Sequence, residues 1–346
     1  AARRARQAAS VSVAAAVKPE ELRQGPVLGR GTYGVVRVVC TPNDSVFALK
    51  AIRKSAIRDR KGIDHLIDER KVLSFLDHPF LPYLVATWQS TDDLFIMQEF
   101  IQGGELFSYL HRSPMPFGGR AHTLDVASTR FYTGCVVSAL THLHDLAIVF
   151  RDLKQENLLF DRHGYLKVVD FGFAKVLSNA QRTYTFCGTP SYLAPEIIKR
   201  MGHGKGVDWW SLGVLTYEML VGKEPFAGGI DRAKLFNNIL HSEPKFPWLF
   251  DREAADFIRA LLAKDEHARL GTQSAAGRSG AQQVRLHPFL GLLDFVKLER
   301  RELPPPYQPV IRSSTDTSNF DDPDSSDEED DDDEKSSMRI MDANAL

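Results

Sequence analysis

Cysteine is scarce in this sequence. Cys40, Cys135 and Cys187 are an odd number without paired spacing, which excludes a disulfide framework and a zinc ribbon and leaves free thiols. Long apolar runs are missing as well. Nothing approaches the roughly 18 to 20 uncharged residues that a membrane helix needs, and no signal-peptide apolar region precedes a cleavage site. No repeat at a period of roughly 20 to 50 residues is visible. From these absences we expect a soluble chain without a membrane span, resident in the cytoplasm with the nucleus as a second compartment.

What is present begins with size: 346 residues with 43% hydrophobic content can bury a core, and that length suits two lobes with tails. The net charge of -2 hides an asymmetry, because residues 313–346 hold 13 Asp/Glu against 2 Lys/Arg and the body before them carries +9. The acidic end reads as a solvated, disordered tail. The basic residues of the body are dispersed, and no aromatic-rich motif accompanies them, so no nucleic-acid partner is expected. Residues 1–21 read as a flexible arm whose first eighteen residues contain no acid.

From Gln24 to about Ile101 β-branched runs dominate, with Val35 to Val39 and Val46 to Ile52 as strands and a helical stretch from Ile63 to Leu76. Beyond Gly103 the pattern turns helical, around Ala127 to His144, Trp209 to Val221 and Arg252 to Leu262, with short strands near Asn157 to Phe160 and Leu166 to Val169. The division expected is a small strand-rich lobe over residues 22–100, a larger helical lobe over 101–290 and a tail over 291–346. The fold class is α+β.

Gly29, Gly31 and Gly34 form G-x-G-x-x-G, a weak signal by itself because dinucleotide-binding folds share it. A dinucleotide site needs a helix after the glycines, whereas here Val35, Val36, Val38 and Val39 continue as a strand. A strand, glycine turn and strand can lay bare backbone over phosphates. Lys50 follows on the next strand as a point charge for those phosphates. On the helix, Ile63, Leu66, Leu73 and Leu76 make one apolar stripe with Glu69 inside it. A carboxylate on a buried face is costly unless paired, and Lys50 is the candidate partner.

Arg151-Asp152-Leu153-Lys154-Gln155-Glu156-Asn157 is R-D-x-x-x-x-N, and Asp170-Phe171-Gly172 begins thirteen residues after Asn157. With the glycine loop and Lys50 upstream, this constellation resembles the eukaryotic protein kinases, which implies the bilobal protein kinase fold: a small antiparallel β lobe with one major helix over a mostly helical lobe, with ATP between them. The resemblance implies that Asp152 accepts the substrate hydroxyl proton, Lys154 steadies the phosphoryl group, and Asn157 and Asp170 hold Mg2+. Phe150 stands where the family usually has histidine, and its ring is expected to pack on Phe171.

Between Asp170 and Glu196, D-F-G-F-A-K and T-F-C-G-T-P-S-Y-L-A-P-E narrow the resemblance to the AGC kinases and their cAMP- and cGMP-dependent branch, over roughly residues 22–323. It implies an ATP pocket from Leu28, Gly29, Gly31, Gly34, Val36, Ala48, Lys50, Gln98, Glu99, Ile101, Glu105, Leu159 and Asp170. The tail string D-T-S-N-F-D-D would cover that pocket and bring Phe320 to the adenine. Thr185 becomes the activation-loop phosphosite, with His65, Arg151 and Lys175 as phosphate partners. Cys187 beside it is either redox-sensitive or a buried inert thiol. Glu105, Glu156 and Glu218 would receive arginines of R-R-x-S/T substrates, and Phe186, Thr189, Pro190 and Leu193 would take the residue after the acceptor.

Departures from the family pattern are Ser191 in place of a glutamate, Gln98 at the gatekeeper position, a longer stretch from His111 to Thr123 and the lack of a terminal F-x-x-F. A pseudokinase scaffold is the alternative from another class, but Lys50, Asp152 and Asp170 are all retained. Within the branch, R-F-Y-T-G-C-V-V at Arg130 to Val137 leans to the cGMP-dependent enzymes. A cAMP-dependent catalytic subunit, held by a cyclic-nucleotide-binding regulatory partner, is the reading preferred over an in-chain regulatory domain.

Overall fold

The computed structural model describes residues 19–31, 34–57, 60–111, 122–177, 181–229, 231–272 and 279–321. The N-terminal arm before Pro19, most of the stretch from His111 to Thr123 and the acidic end after Asp321 lie outside them, as do the expectations attached to those segments.

Five strands open the fold: β1 (Arg23–Gly31), β2 (Gly34–Cys40), β3 (Val46–Arg53), β4 (Leu84–Gln89) and β5 (Asp93–Glu99), in the order β1-β2-β3-β5-β4 with every pair antiparallel. Between β3 and β4 lies α1 (Arg60–Phe75). Strand alternation sends Ile52 toward α1, where it joins Val72, Leu73, Leu76 and Ile96 in the main core. Phe47 and Leu49 face the other way, into a smaller cluster with Val39, Val85 and Met97. The glycine turn joins β1 to β2, with Gly31 opposite Gly34.

One detail of the helical stripe differs from expectation. Glu69, Val72, Leu73 and Leu76 are buried, but Ile63 is 48% exposed. The first turns of α1 pack toward β9 (Lys175–Val176) and set His65 edge-on against Phe173 at 6.1 Å, which turns Ile63 to solvent.

The larger lobe is built on α3 (Val126–Asp145), which follows the short α2 (Leu106–His111) and is buried along most of its length. Asp125 caps α3 by accepting from the Ser128 amide at 2.8 Å. Around α3 stand α5 (Gly206–Val221), following the single-turn α4 (Pro195–Ile198), then α6 (Arg232–His241), α7 (Arg252–Leu261), α8 (Gly280–Arg285), α9 (Pro288–Gly291) and α10 (Phe295–Glu299). Gly222 ends α5 with φ 75, a left-handed conformation suited to glycine. Two small ribbons, β6 (Ile148–Val149) with β9 and β7 (Leu158–Phe160) with β8 (Leu166–Val168), lie on α3 and carry the loops that face the sheet. A five-stranded antiparallel sheet with one helix over a mostly helical lobe is the bilobal architecture expected. No helix among the described residues is long and apolar enough to cross a membrane.

Candidate active site

The strand alternation that buries Ile52 also carries Ala48 and Lys50 toward the space between the lobes. Lys50 Nζ reaches Glu69 Oε1 at 2.8 Å, and the Glu69 side chain is only 5% exposed. Burial acts to lower the Lys50 pKa, but Glu69 and Asp170 outweigh it and hold the ammonium above its ordinary value. The charge inside the apolar stripe has found the partner expected of it, and Asp170 stands close enough to act on the same ammonium. Of the three glycines, Gly34 is fixed by packing, since a Cβ there would run into the Ala51 carbonyl, whereas Gly29 and Gly31 face open space.

The loop after β6 is held by a residue that sequence reasoning missed. Asp208, fully buried in the first turn of α5, accepts from the Phe150 amide at 2.9 Å, the Arg151 amide at 2.8 Å and His144 Nε2 at 2.8 Å. These bonds fasten Arg151 in a left-handed conformation at φ 70, an arrangement that costs on the order of 1–3 kcal/mol unless its surroundings enforce it. The signal was a lone acid in the apolar run G-V-D-W-W-S-L.

Asp152 follows directly. Its Oδ2 accepts from Asn157 Nδ2 at 2.8 Å and its Oδ1 from Thr189 Oγ1 at 3.2 Å. Burial pushes the carboxyl above the usual range, Lys154 pulls it back and Asp170 adds to the rise. A carboxylate so clamped, with a raised proton affinity, is suited to accept a proton from a hydroxyl group. Asn157 also ties down the next loop, since its carbonyl accepts from the Val169 amide at 2.9 Å. Asp170 then turns out at φ 62 with its side chain exposed, one oxygen accepting from the Gly172 amide at 3.1 Å. Phe171 is buried edge-on to Phe150 at 5.3 Å, as expected for a ring in place of histidine.

Among the described residues no cluster of three or more His, Cys, Asp or Glu could by itself hold a metal. Asp170 and Asn157 are hard oxygen donors on adjoining loops. That donor set fits Mg2+, which keeps several waters and takes further oxygens from phosphates rather than from a protein cage.

Of the three basic residues expected around Thr185, Arg151 is linked to it through Thr183. Arg151 Nε donates to the Phe173 carbonyl at 2.7 Å and its Nη1 to Thr183 Oγ1 at 3.4 Å, while Thr183 Oγ1 lies 3.4 Å from Thr185 Oγ1. His65 packs on the Phe173 ring, and Lys175 follows in β9. Thr185 itself is exposed, whereas Cys187 is buried with its thiol pushed up by burial, which favours the inert alternative.

On the opposite side of Asp152, Glu218 is 7% exposed, with Oε2 accepting from the Tyr192 hydroxyl and from Gln155 Nε2 at 3.1 Å. Burial is the main reason that its carboxyl is pushed up to about 8, and the charges of Glu224 and Glu156 add to the rise. Glu156 and Glu218 are therefore brought together, with Tyr192, Gln155 and Glu224 as neighbours that sequence reasoning did not name. Glu105 bridges to Leu159, six residues after β5 ends at Glu99. Phe186 stands edge-on to Phe236 at 6.3 Å, Thr189 is engaged with Asp152, Pro190 is partly buried and Leu193 belongs to the core.

The other residues expected at an ATP pocket lie on β1, β2, β3, β5, β7 and the segment after β5. Leu28 and Val36 are partly buried on β1 and β2, Gln98 stands opposite Ala48 across β5 and β3, and Glu99, Ile101 and Leu159 follow along the chain. The tail reaches the segment after β5. Asn319 Nδ2 donates to the Gln102 carbonyl at 3.2 Å, Gln102 Nε2 donates to the Ser313 and Ser314 carbonyls at 3.1 and 2.9 Å, and Ser108 Oγ donates to Asp321 at 2.8 Å. Phe320 stacks on Phe100 at 6.1 Å. Gln102 was not singled out from the sequence, because a single polar residue next to a G-G pair reads as ordinary loop, and Ser108 reads as one polar position of a short helix.

The family described as the protein kinase domain matches residues 22–290. The serine/threonine-protein kinase YPK1 of Saccharomyces cerevisiae is 42% identical over 298 residues, 86% of this chain and 42% of that protein. Protein kinase 2 of Dictyostelium discoideum is 40% identical over 296 residues, covering 85% and 59% of the two chains. The cAMP-dependent protein kinase type 3 of Saccharomyces cerevisiae is 40% identical over 299 residues, covering 85% and 71%. The chain thus spans about half the length of the first two of these relatives.

Proposed function

The chain belongs to the protein kinase domain family, and from that premise we propose that it is an ATP-dependent serine/threonine kinase of the AGC type. The observation that carries this reading is the 2.8 Å pair between Lys50 and Glu69, with Asp170 acting on the same ammonium. This pair and Asp170 together place a fixed cation and a hard oxygen donor at the junction of the lobes, the charges that phosphoryl transfer needs.

In the proposed reaction the γ-phosphoryl group of ATP passes to a substrate hydroxyl. The backbone of Gly29 and Gly31 covers the phosphates and Lys50 holds them. Asp170 and Asn157 would hold Mg2+, and the ion would supply positive charge against the phosphates. Asp152, oriented by Asn157 and Thr189, directs the hydroxyl and takes its proton, and Lys154 offsets charge on the transferring group. Such a step depends on alignment and charge rather than on covalent intermediates.

The finer parts of the reading are substrate and regulation. Glu105, Glu156 and Glu218 bind arginines of R-R-x-S/T sequences, while Phe186, Thr189, Pro190 and Leu193 shape the site after the acceptor. Phosphorylation of Thr185, facing His65, Arg151 and Lys175, orders the activation segment. Residues 22–100 and 101–290 act as the two lobes, and the tail after residue 290 brings Phe320 to the adenine. A likeness to cAMP-dependent catalytic subunits favours a cyclic-nucleotide-binding regulatory partner, in a cytoplasmic or nuclear setting. The test is transfer of labelled phosphate from Mg-ATP to an R-R-x-S peptide and to its arginine-free analogue, with Asp170→Ala as blank. Arginine-dependent transfer at about 1–100 per second supports the proposal; transfer no faster than the blank rejects it.

A further inference from the structure

Lys167 is among the largest fully buried side chains of the protein, yet the mechanism above leaves it unused. It lies in the middle of β8, three residues before Asp170. Its ammonium donates to Glu99 Oε1 at 2.8 Å, to Glu99 Oε2 at 2.7 Å and to the Leu81 carbonyl at 3.3 Å. Each of its three N–H groups therefore has an acceptor, which is the condition under which a buried ammonium is tolerated. The partner carboxylate is 20% exposed, so the pair is shielded on the lysine side and only narrowly open on the other.

The place of Glu99 gives this pair its meaning. Glu99 ends β5, is paired with Phe47 across β3 and donates its amide to the Tyr83 carbonyl at 3.1 Å. The three residues after it carry the contacts that seat the tail, through Phe100 and Gln102. Lys167 belongs to the other lobe, and the amide beside it, that of Val168, donates to the Phe80 carbonyl at 3.0 Å. One ion pair thus bolts the end of β5, where the segment joining the lobes begins, to the strand that leads to Asp170.

We infer that Lys167 is a positioning residue for the nucleotide: by holding the Glu99 carboxylate, it sets the segment that follows β5 at the height at which its backbone meets the adenine while Asp170 meets the phosphates. Without the ammonium, the Glu99 carboxylate loses its partner and moves toward water, taking the segment after β5 with it. The inference rests on the ATP-site reading above.

The test is calorimetric affinity for Mg-ATP, together with the KM for ATP and for the R-R-x-S peptide, in the full chain and in Lys167→Met, Lys167→Arg, Glu99→Gln and the Lys167→Met/Glu99→Met pair. Lys167→Met is expected to weaken ATP binding about tenfold or more, with the peptide KM changed by less than about twofold and kcat by less than about threefold. Lys167→Arg restores most of the affinity, Glu99→Gln falls between, and the double variant returns toward the parent because no lone charge remains. ATP affinity within about twofold of the parent in Lys167→Met overturns the inference, as does an equal loss for ATP and peptide. If Lys167→Met does not fold, unchanged ATP affinity in Glu99→Gln overturns it and a selective loss there supports it. The binding measurement needs no turnover, so an inactive parent that binds ATP would reject the kinase reading while still deciding the role of Lys167.

Discussion

If Glu218 receives a substrate arginine as proposed, its protonation makes recognition of basic substrates depend on pH in a calculable way. With its carboxyl pushed up to about 8, chiefly by burial, Glu218 holds a proton at neutral pH. A neutral carboxyl cannot form an ion pair with a guanidinium, so an arginine bound there must expel the proton. The sign follows: affinity for the arginine rises as pH rises toward the Glu218 pKa and levels off above it. Ionising Glu218 costs about 1.4 kcal/mol at pH 7 and about 2 kcal/mol at pH 6.5. Between pH 6.5 and 8.5 the KM for an R-R-x-S peptide should therefore fall by up to about 25-fold. An arginine-free peptide supplies the reference, because titration of Asp152, whose own carboxyl is raised by burial, affects both peptides and cancels in their ratio. His78 and His203, pushed down by burial to about 3 and about 4, titrate below this window. The assay is initial-rate kinetics of both peptides at fixed ionic strength, repeated with Glu218→Gln, whose amide carries no proton to expel. A KM ratio that stays constant across the range, or a Glu218→Gln variant with the same pH slope as the parent, would refute the reasoning.

Three other perturbations test separate parts of the structure. Lys50→Met should lower transfer at least about 10²-fold while the circular dichroism spectrum keeps its native shape; a smaller loss would remove Lys50 from the phosphate site. Arg269 is fully buried and bidentate to Glu196 at 2.7 and 2.9 Å. Removing it in Arg269→Ala should cost about 3–5 kcal/mol by leaving a buried carboxylate unpaired, read from the urea midpoint, and a change below 1 kcal/mol, estimated on the same scale at about a surface substitution, would contradict the pairing. Gly104 sits at φ 81 with the Asn319 carbonyl over it. Gly104→Ala should therefore release the tail, seen as faster proteolysis after residue 300 and an ATP KM raised about tenfold or less; an unchanged cleavage pattern would show that the tail does not depend on this contact.

The lobes were legible from local pattern because β-branched runs and helical periodicity are local signals, and the helices around Trp209 to Val221 and Arg252 to Leu262 were placed within a few residues of their observed ends. Ile63 was misplaced for a non-local reason: periodicity finds the apolar side of α1, while the packing of its first turns toward β9 decides which part of that side is covered. The same limit explains the missed partners. Gln155 and Tyr192 meet Glu218 across 63 and 26 residues, and Lys167 meets Glu99 across 68. No spacing rule links positions so far apart.

One sequence signal does extend further than it was taken. Glu69 was paired correctly because an acid inside an apolar helical stripe requires a cation. Asp208 in G-V-D-W-W-S-L and Lys167 in Y-L-K-V-V present the same contradiction of a charge inside an apolar run, and both are buried with partners at 2.7–2.9 Å. Lys167 escaped notice because a short strand with one polar residue reads as half-exposed, whereas all three residues of β8 are covered. Such charges survive in a core only where their partners are fixed in place. In this protein those fixed partners are Lys50, the backbone amides of Phe150 and Arg151, and Glu99 at the end of β5. The positions where composition and burial conflict are therefore the ones that hold the site in register.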